Sequence, residues 1–293
     1  MVESKTIWDR LFTVANYVLL SLILLLTLYP CWYVVVASVS DPIKLYAGSK
    51  FMIWPRGFSV QAYEIIIKHA MLWKSYGNTL IYVSAATVLG LTLTTLGAFV
   101  LSRKYLPGKN AMMMMVTITM FFGGGLIPSY LVNVELGLVN NRWAMIIPGA
   151  ISTYNMIMML TYFRGIPDSL EESARIDGAN ELVILTRIVI PLSLPVIAVI
   201  SLYIIVAHWN SYMHATIYLR DRDLFPLQVI LREILISGSS NLDQMTSGYD
   251  DFAAYSEAVK YATIIVSTLP VLAIYPFLQR FFVKGVMLGA IKG

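Results

Sequence analysis

The chain has 293 residues, 58% of them hydrophobic and 13% charged, with a mean hydropathy of +0.70. Soluble domains carry about 25% charged residues, so roughly half the usual charge is missing, which points to a chain that crosses a membrane several times. The net charge of +4 is small and spread along the sequence, leaving nucleic-acid binding without compositional support.

Crossing a hydrocarbon core takes about 20 apolar residues in a helix. Six runs reach that length: Leu11–Ala37, Thr79–Leu101, Ala111–Val132, Trp143–Phe163, Ile188–Ala207 and Val259–Phe282. The reading is an all-α polytopic membrane protein of six transmembrane helices, one transmembrane domain over residues 1–293. The first run, behind Lys5 and Arg10, exceeds the about 7–15 apolar residues of a secretory signal and reads as a retained span. Lys and Arg split eleven to ten between the two sides, so the short loops decide orientation. "SRKYLPGK" after the second run carries three cations, against Arg142 alone after the third, which places both termini in the cytoplasm. Two long connections, 38–78 and 209–258, then lie outside. Their mixture of Pro, Gly, aromatic and aliphatic residues reads as folded pieces that meet a partner.

The third run contains "GGGLIP" at 123–128, which admits a helix break lining a cavity or, preferred here, close packing against another subunit. The fourth holds Tyr154 and Asn155 in "STYNM", and the fifth ends in "AHWNSYMH" with Trp209 and Asn210. Polar groups at membrane depth face a bundle interior or a cavity, and sugars favour aromatic faces beside hydrogen-bonding side chains. Both readings stand, a substrate pathway or interhelical packing and interfacial anchoring. His208 has no carboxylate within a span to make it a proton relay.

Between the fourth and fifth runs, in the cytoplasmic loop 165–187, "DSLEESARIDGAN" concentrates charge in a greasy chain. Asp168 or Ser169, three residues ahead of Glu171 or Glu172, suggests a capping box, and Arg175 stands one turn from both glutamates. Gly178 offers a chain reversal into a second helix, Ala179–Arg187. The result is a short helical knob that either docks a partner or lies on the membrane surface.

His69, His208, His214 and the single Cys31 share no metal-ligand spacing, and one cysteine permits no intrachain disulfide. No G-x4-G-K-[ST] pattern occurs, so the chain has no ATP site of its own. A secondary transporter would show intramembrane charges or breaks at matching places in two halves. A membrane-embedded enzyme would show a catalytic cluster, for which Asp221 and Asp223 are the nearest and are explained as turn charges. These are the alternative readings.

"ESA", three residues, Gly178, nine residues and Ile188-Val189-Ile190-Pro191 resemble the EAA motif, E-A-A-x3-G-x9-I-x-L-P, of ABC importer permeases, with Ser173 and Ile190 as departures. "PLSLPVIAV" and the tail "QRFFVKGVMLGAIKG" resemble the maltose-type carbohydrate permeases of that family. "FFGGGLIPSYLV" and "LGLVNNRWAMIIPGAIS" are similar to a narrower group taking large, often uronate-bearing oligosaccharides, with the second membrane subunit of an alginate importer as the nearest likeness. The resemblance implies a type I importer permease fold in the bacterial inner membrane, with no catalysis and no cofactor in this chain. It implies a second homologous permease (usually in a heterodimer), two cytoplasmic ATPases binding ATP and Mg, an extracytoplasmic solute-binding protein and a carbohydrate substrate. It further implies that Glu172, Ala174 and Gly178, flanked by Arg175 and Asp177, dock the knob to an ATPase, and that the tail lies near the ATPase dimer.

Overall fold

A computed structural model describes residues 7–49, 51–237 and 249–290. The described residues form helices joined by loops, with one isolated bridge between Ser40 and Phe58 and no other strand pairing among them. In chain order the helices are α1 (Ile7–Ser38), α2 (Pro42–Tyr46), α3 (Gln61–Ile67), α4 (Ala70–Ser102), α5 (Lys109–Phe121), α6 (Leu126–Glu135) and α7 (Thr153–Arg164). They continue as α8 (Asp168–Ile176), α9 (Glu181–Ile184), α10 (Ile190–Leu192), α11 (Leu194–Trp209), α12 (Tyr212–Tyr218), α13 (Leu227–Ser237) and α14 (Tyr249–Ala290).

Two helices, α1 and α4, are long and apolar enough to cross a membrane unaided, and two bent pairs bring the number to as many as four among the described residues. The third expected span breaks between α5 and α6 by 113°, and the fifth bends by 82° ahead of α11. Gly125 at φ 82° turns the first pair, with nothing within 4 Å of where Cβ atoms on Gly123 and Gly125 would sit. "GGGLIP" is therefore a break in this chain, not a close helix contact within it. At the second bend, a π-helical stretch Leu185–Val189 precedes α10, and Pro191 and Pro195 remove backbone donors where the ladder is interrupted. The fourth expected span is not one helix. Its first half is a 3-10 turn, Arg142–Met145, and only Thr153–Arg164 is α-helical, capped where the Asn155 amide donates to Ser152 Oγ at 3.4 Å. Pro148 and Gly149 fall between them. The sixth run lies inside α14, which carries Pro270 and Pro276. The glycine-rich tail from Gly285 has no described side chains.

The chain divides into two compact units, Met1–His69 with Leu231–Thr268, and Ala70–Ile230 with Leu269–Gly293. In the first, α1 is exposed along most of its length and buries only Val36, Ala37 and Ser38. Its end is tied to the following loop by Trp32 Nε1 donating to the Ile53 carbonyl at 2.9 Å and by Tyr29 stacking on Phe51. Tyr63 donates to Ser38 Oγ at 2.8 Å, and Tyr33 meets Tyr261 edge to face.

In the second unit, α4 is the central element, packed against α7 and α11. The buried core joins Tyr82, Ala86, Ala98 and Phe99 of α4 to Met156, Met159, Leu160 and Phe163 of α7 and to Val196, Ile200 and Ile204 of α11. Small residues permit the approach: a Cβ on Gly90 would lie 3.0 Å from the Ala150 carbonyl and 3.2 Å from Ile204.

Candidate functional site

The charged insert forms α8 and α9, but by a different local chemistry from a capping box. α8 begins at Asp168 behind Pro167, which supplies no side-chain cap. The expected pairs with Arg175 do not form: Glu171 and Arg175 take other partners, and Glu172 is exposed. An exposed pair one turn apart contributes only about 0.2–0.5 kcal/mol to a helix, so a more buried bidentate partner displaces it. The reversal is as expected. Gly178, at φ 82°, donates to the Arg175 carbonyl at 3.0 Å and Ala179 donates to Ala174 at 2.9 Å, the paired bonds of a Schellman ending. Asn180 Oδ1 then accepts from the Val183 amide at 2.9 Å and starts α9, which runs on through the π-helical stretch Leu185–Val189, giving the second helix expected over Ala179–Arg187.

The partners of α8 come from the turn after α4. Arg103 forms a bidentate pair with Glu171, with Nη2 donating to Oε1 at 2.9 Å and Nη1 donating to Oε2. The two side chains are 8% and 16% exposed. The guanidinium also lies over the Phe99 ring, 4.1 Å from its centroid. Lys104 pairs with Asp168, whose hydrogen bond and charge hold the lysine pKa above its ordinary value. Tyr105 accepts a hydrogen bond from Arg175 at 3.3 Å and lies under its guanidinium, and that bond is the main cause raising the arginine pKa. Arg175 also pairs with Glu181 at 2.6 Å. Three consecutive residues thus clasp positions 168, 171 and 175, which share one face of α8 through steps of three and four. What stays outside is Glu172, Asp177, Gly178 and Ile176, the last 87% exposed, with Leu182 beside them on α9. Ala174 is partly buried and packs toward the core together with Ala179.

The pathway candidates separate. Tyr154 and Asn155 line a cleft of about 390 Å³ together with Ser152, Tyr203, Ala207 and His208. The Tyr154 and Tyr203 rings stand 6.4 Å apart and tilted, and Asn155 is 7% exposed. His208 Nδ1 lies 2.9 Å from the Ile204 carbonyl, so in the neutral ring it donates there and leaves Nε2 as an acceptor. Trp209 and Asn210 do not line this cleft. Trp209 is buried, with its ring edge-on to Tyr76, and Asn210 caps α11 by donating to Val206 at 2.9 Å. On α11 Tyr203 lies six residues before Trp209 and His208 directly before it, and the α7–α11 packing brings both beside Tyr154. Among the described residues no cluster of three metal-ligating side chains occurs.

Residues 105–288 match the family described as "binding-protein-dependent transport system inner membrane component". The chain belongs to this family. The permease is 40% identical over 97% of its length, and 99% of the relative, to the polygalacturonan/rhamnogalacturonan transport system permease protein YtcP of Bacillus subtilis (strain 168). It is 36% identical to Protein LplC of the same organism, covering 97% of this chain and 96% of that one. It also matches, with a TM-score of 0.89 and 33% identity over 96% of this chain and 100% of the other, a chain of a bacterial ABC transporter involved in the import of the acidic polysaccharide alginate. These likenesses make the permease an all-α type I importer subunit of an ABC transporter, and a transport component rather than an enzyme.

Proposed function

We propose that this permease moves an oligosaccharide, of the uronate-bearing kind handled by its relatives, inward across the bacterial inner membrane by alternating access. It acts as one transmembrane domain with both termini in the cytoplasm, and pairs with a second, homologous permease. Two ATPases supply the ATP and Mg sites, and a solute-binding protein meets the external connections 38–78 and 209–258. The observation that carries this reading is the exposed α8–α9 knob in a member of the family. A rigid, Gly178-turned projection with Ile176 and Leu182 bare suits docking to a partner better than service to its own fold.

On this knob Glu172, Ile176, Asp177 and Gly178 face the ATPase. Arg175 contributes its flank. Ala174 fastens the knob from behind. Closure of the ATPases around ATP would then move α8 and with it the helices of the second unit. The cleft of Tyr154, Asn155, Tyr203 and His208 is the section of pathway this subunit offers, with two aromatic faces and neutral hydrogen-bonding groups for a sugar ring.

The test is a complex of the permease with its partner permease and ATPases, comparing wild type with Glu172→Lys and Gly178→Asp. Release of the ATPase, or loss of hydrolysis stimulated by loaded binding protein while the permease pair stays assembled, is the expected result. Full assembly and full stimulation in both variants would sink the coupling role.

A further inference from the structure

We propose that α4 is the transmission rod of the permease, joining α8 at its inner end to the external turn 221–227 at its outer end. The inference rests on the reading that α8 docks an ATPase. At the inner end, Arg103 follows the last residue of α4 directly and is fixed four ways. It pairs with Glu171 and stacks on Phe99, and its Nε donates to the Phe99 carbonyl and to Ser102 Oγ. Lys109 Nζ then donates to the carbonyls of Ser102 and Arg103 at 3.3 and 3.1 Å, closing the helix end.

The outer end is held as firmly, by side chains of α4 gripping backbone. Asn78 Nδ2 donates to the carbonyls of Asp223 and Phe225 at 2.8 and 3.1 Å, and Tyr82 donates to Leu224 at 2.8 Å. The Leu227 amide donates to Thr79 Oγ1 at 2.8 Å, and Lys74 pairs with Asp223 at 2.7 Å. Asn78, Thr79 and Tyr82 are all buried. Parting them from the turn would strand buried polar groups, so the turn has to follow the helix.

α4 runs 33 residues without proline, and the stretch from Asn78 to Arg103 that separates the joints spans about 38 Å at about 1.5 Å per residue. The other routes through the membrane are interrupted: α1 holds Pro30, α14 holds Pro270 and Pro276, and the α5–α6 and α10–α11 pairs bend. A push on α8 is absorbed at a break in those elements, whereas α4 delivers it to the far side. Arg103, Glu171, Asn78 and Tyr82 are positioning residues in this scheme. They touch no nucleotide and no sugar.

The test uses the reconstituted complex with its binding protein, loaded with an oligogalacturonate mixture and separately with alginate trisaccharide. Glu171→Gln at the inner joint and Tyr82→Phe or Asn78→Ala at the outer joint are each expected to keep ATPase co-purification and basal hydrolysis. Each should lose stimulation about tenfold, within the 5–150-fold range usual for coupling between sites. Because both joints serve one rod, an inner and an outer change together should be no worse than one alone, and exchanging the charges (Arg103→Glu with Glu171→Arg) should recover stimulation. Losses that multiply in the double variant, undiminished stimulation in the single variants, or disassembly that the charge exchange does not repair would overturn the rod. If instead Glu172→Lys leaves docking and stimulation intact, the coupling reading fails and takes the rod with it.

Discussion

Gly178 holds a backbone conformation that an L side chain enters at a cost, yet nothing stands where its Cβ would project. Substitution there tests conformation separately from packing. Gly178→Ala should lower stability by about 1–2 kcal/mol, the penalty of the left-handed region, and Gly178→Asn should recover much of it because asparagine tolerates that region. Thermal unfolding of the purified complex, followed by intrinsic fluorescence, reads both. Asn140 sits at φ 58° on the other side of the unit and does more. Its Oδ1 accepts from the amides of Arg220 and Asp221 at 3.0 and 2.8 Å, while its own amide donates to Tyr218 at 2.7 Å. Asn140→Ala should therefore cost more than Gly178→Ala, by about 0.5–1.5 kcal/mol, since two solvent-facing amides exchange their side-chain acceptor for water as well. Asn140→Gly relieves the backbone but not the amides, so a variant melting as wild type would remove the hydrogen bonds from the account.

At the scale of elements, α4 depends on having no side chain at Gly90. A Cβ there meets a carbonyl at 3.0 Å, and backbone cannot rotate away as a side chain can. Gly90→Val should destabilise the α4–α7–α11 core by about 1–3 kcal/mol through overpacking, checked by the same melting experiment, whereas Gly123→Val, with open space around it, should not. Much of this architecture was legible. Apolar length alone marks α1, α4 and the α5–α6 and α11 regions, and the spacing from Glu172 to Pro191 marks the knob. What stayed hidden depends on neighbours remote in the chain. "SRKYLPGK" read as an orientation signal because its cations were weighed against lipid, and the partners of Arg103 and Lys104 lie 68 and 64 residues away on α8. Arg175 likewise seemed committed to the glutamates one turn back. The fourth apolar run looked like a single span because composition registers Pro148 and Gly149 only weakly among so many aliphatic residues. Trp209 could be read as a sugar-stacking ring or an interfacial anchor because it is large, aromatic and near a helix end, and the structure instead buries it against Tyr76.

At the scale of the whole permease, alternating access requires one cleft to be reachable from opposite sides in different states. The Tyr154–Tyr203 cleft offers a place to measure this, and the chain has a single cysteine to remove, Cys31. With Cys31→Ser as background, Tyr203→Cys on α11 places a thiol at the wall without touching either end of α4. In inside-out vesicles without nucleotide, a membrane-impermeant maleimide should label that position readily. After trapping the complex with ATP and vanadate, labelling should fall about tenfold or more from the cytoplasmic face and rise in right-side-out vesicles, the reciprocal change a population shift between two states demands. Asn155 is too buried to serve as the control, so Met213, exposed on α12 in the external connection, does better: Met213→Cys should label alike in both nucleotide states in right-side-out vesicles. Labelling at position 203 that ignores nucleotide would leave the cleft as a packing defect between α7 and α11, and the pathway would have to be sought on the α5–α6 break instead.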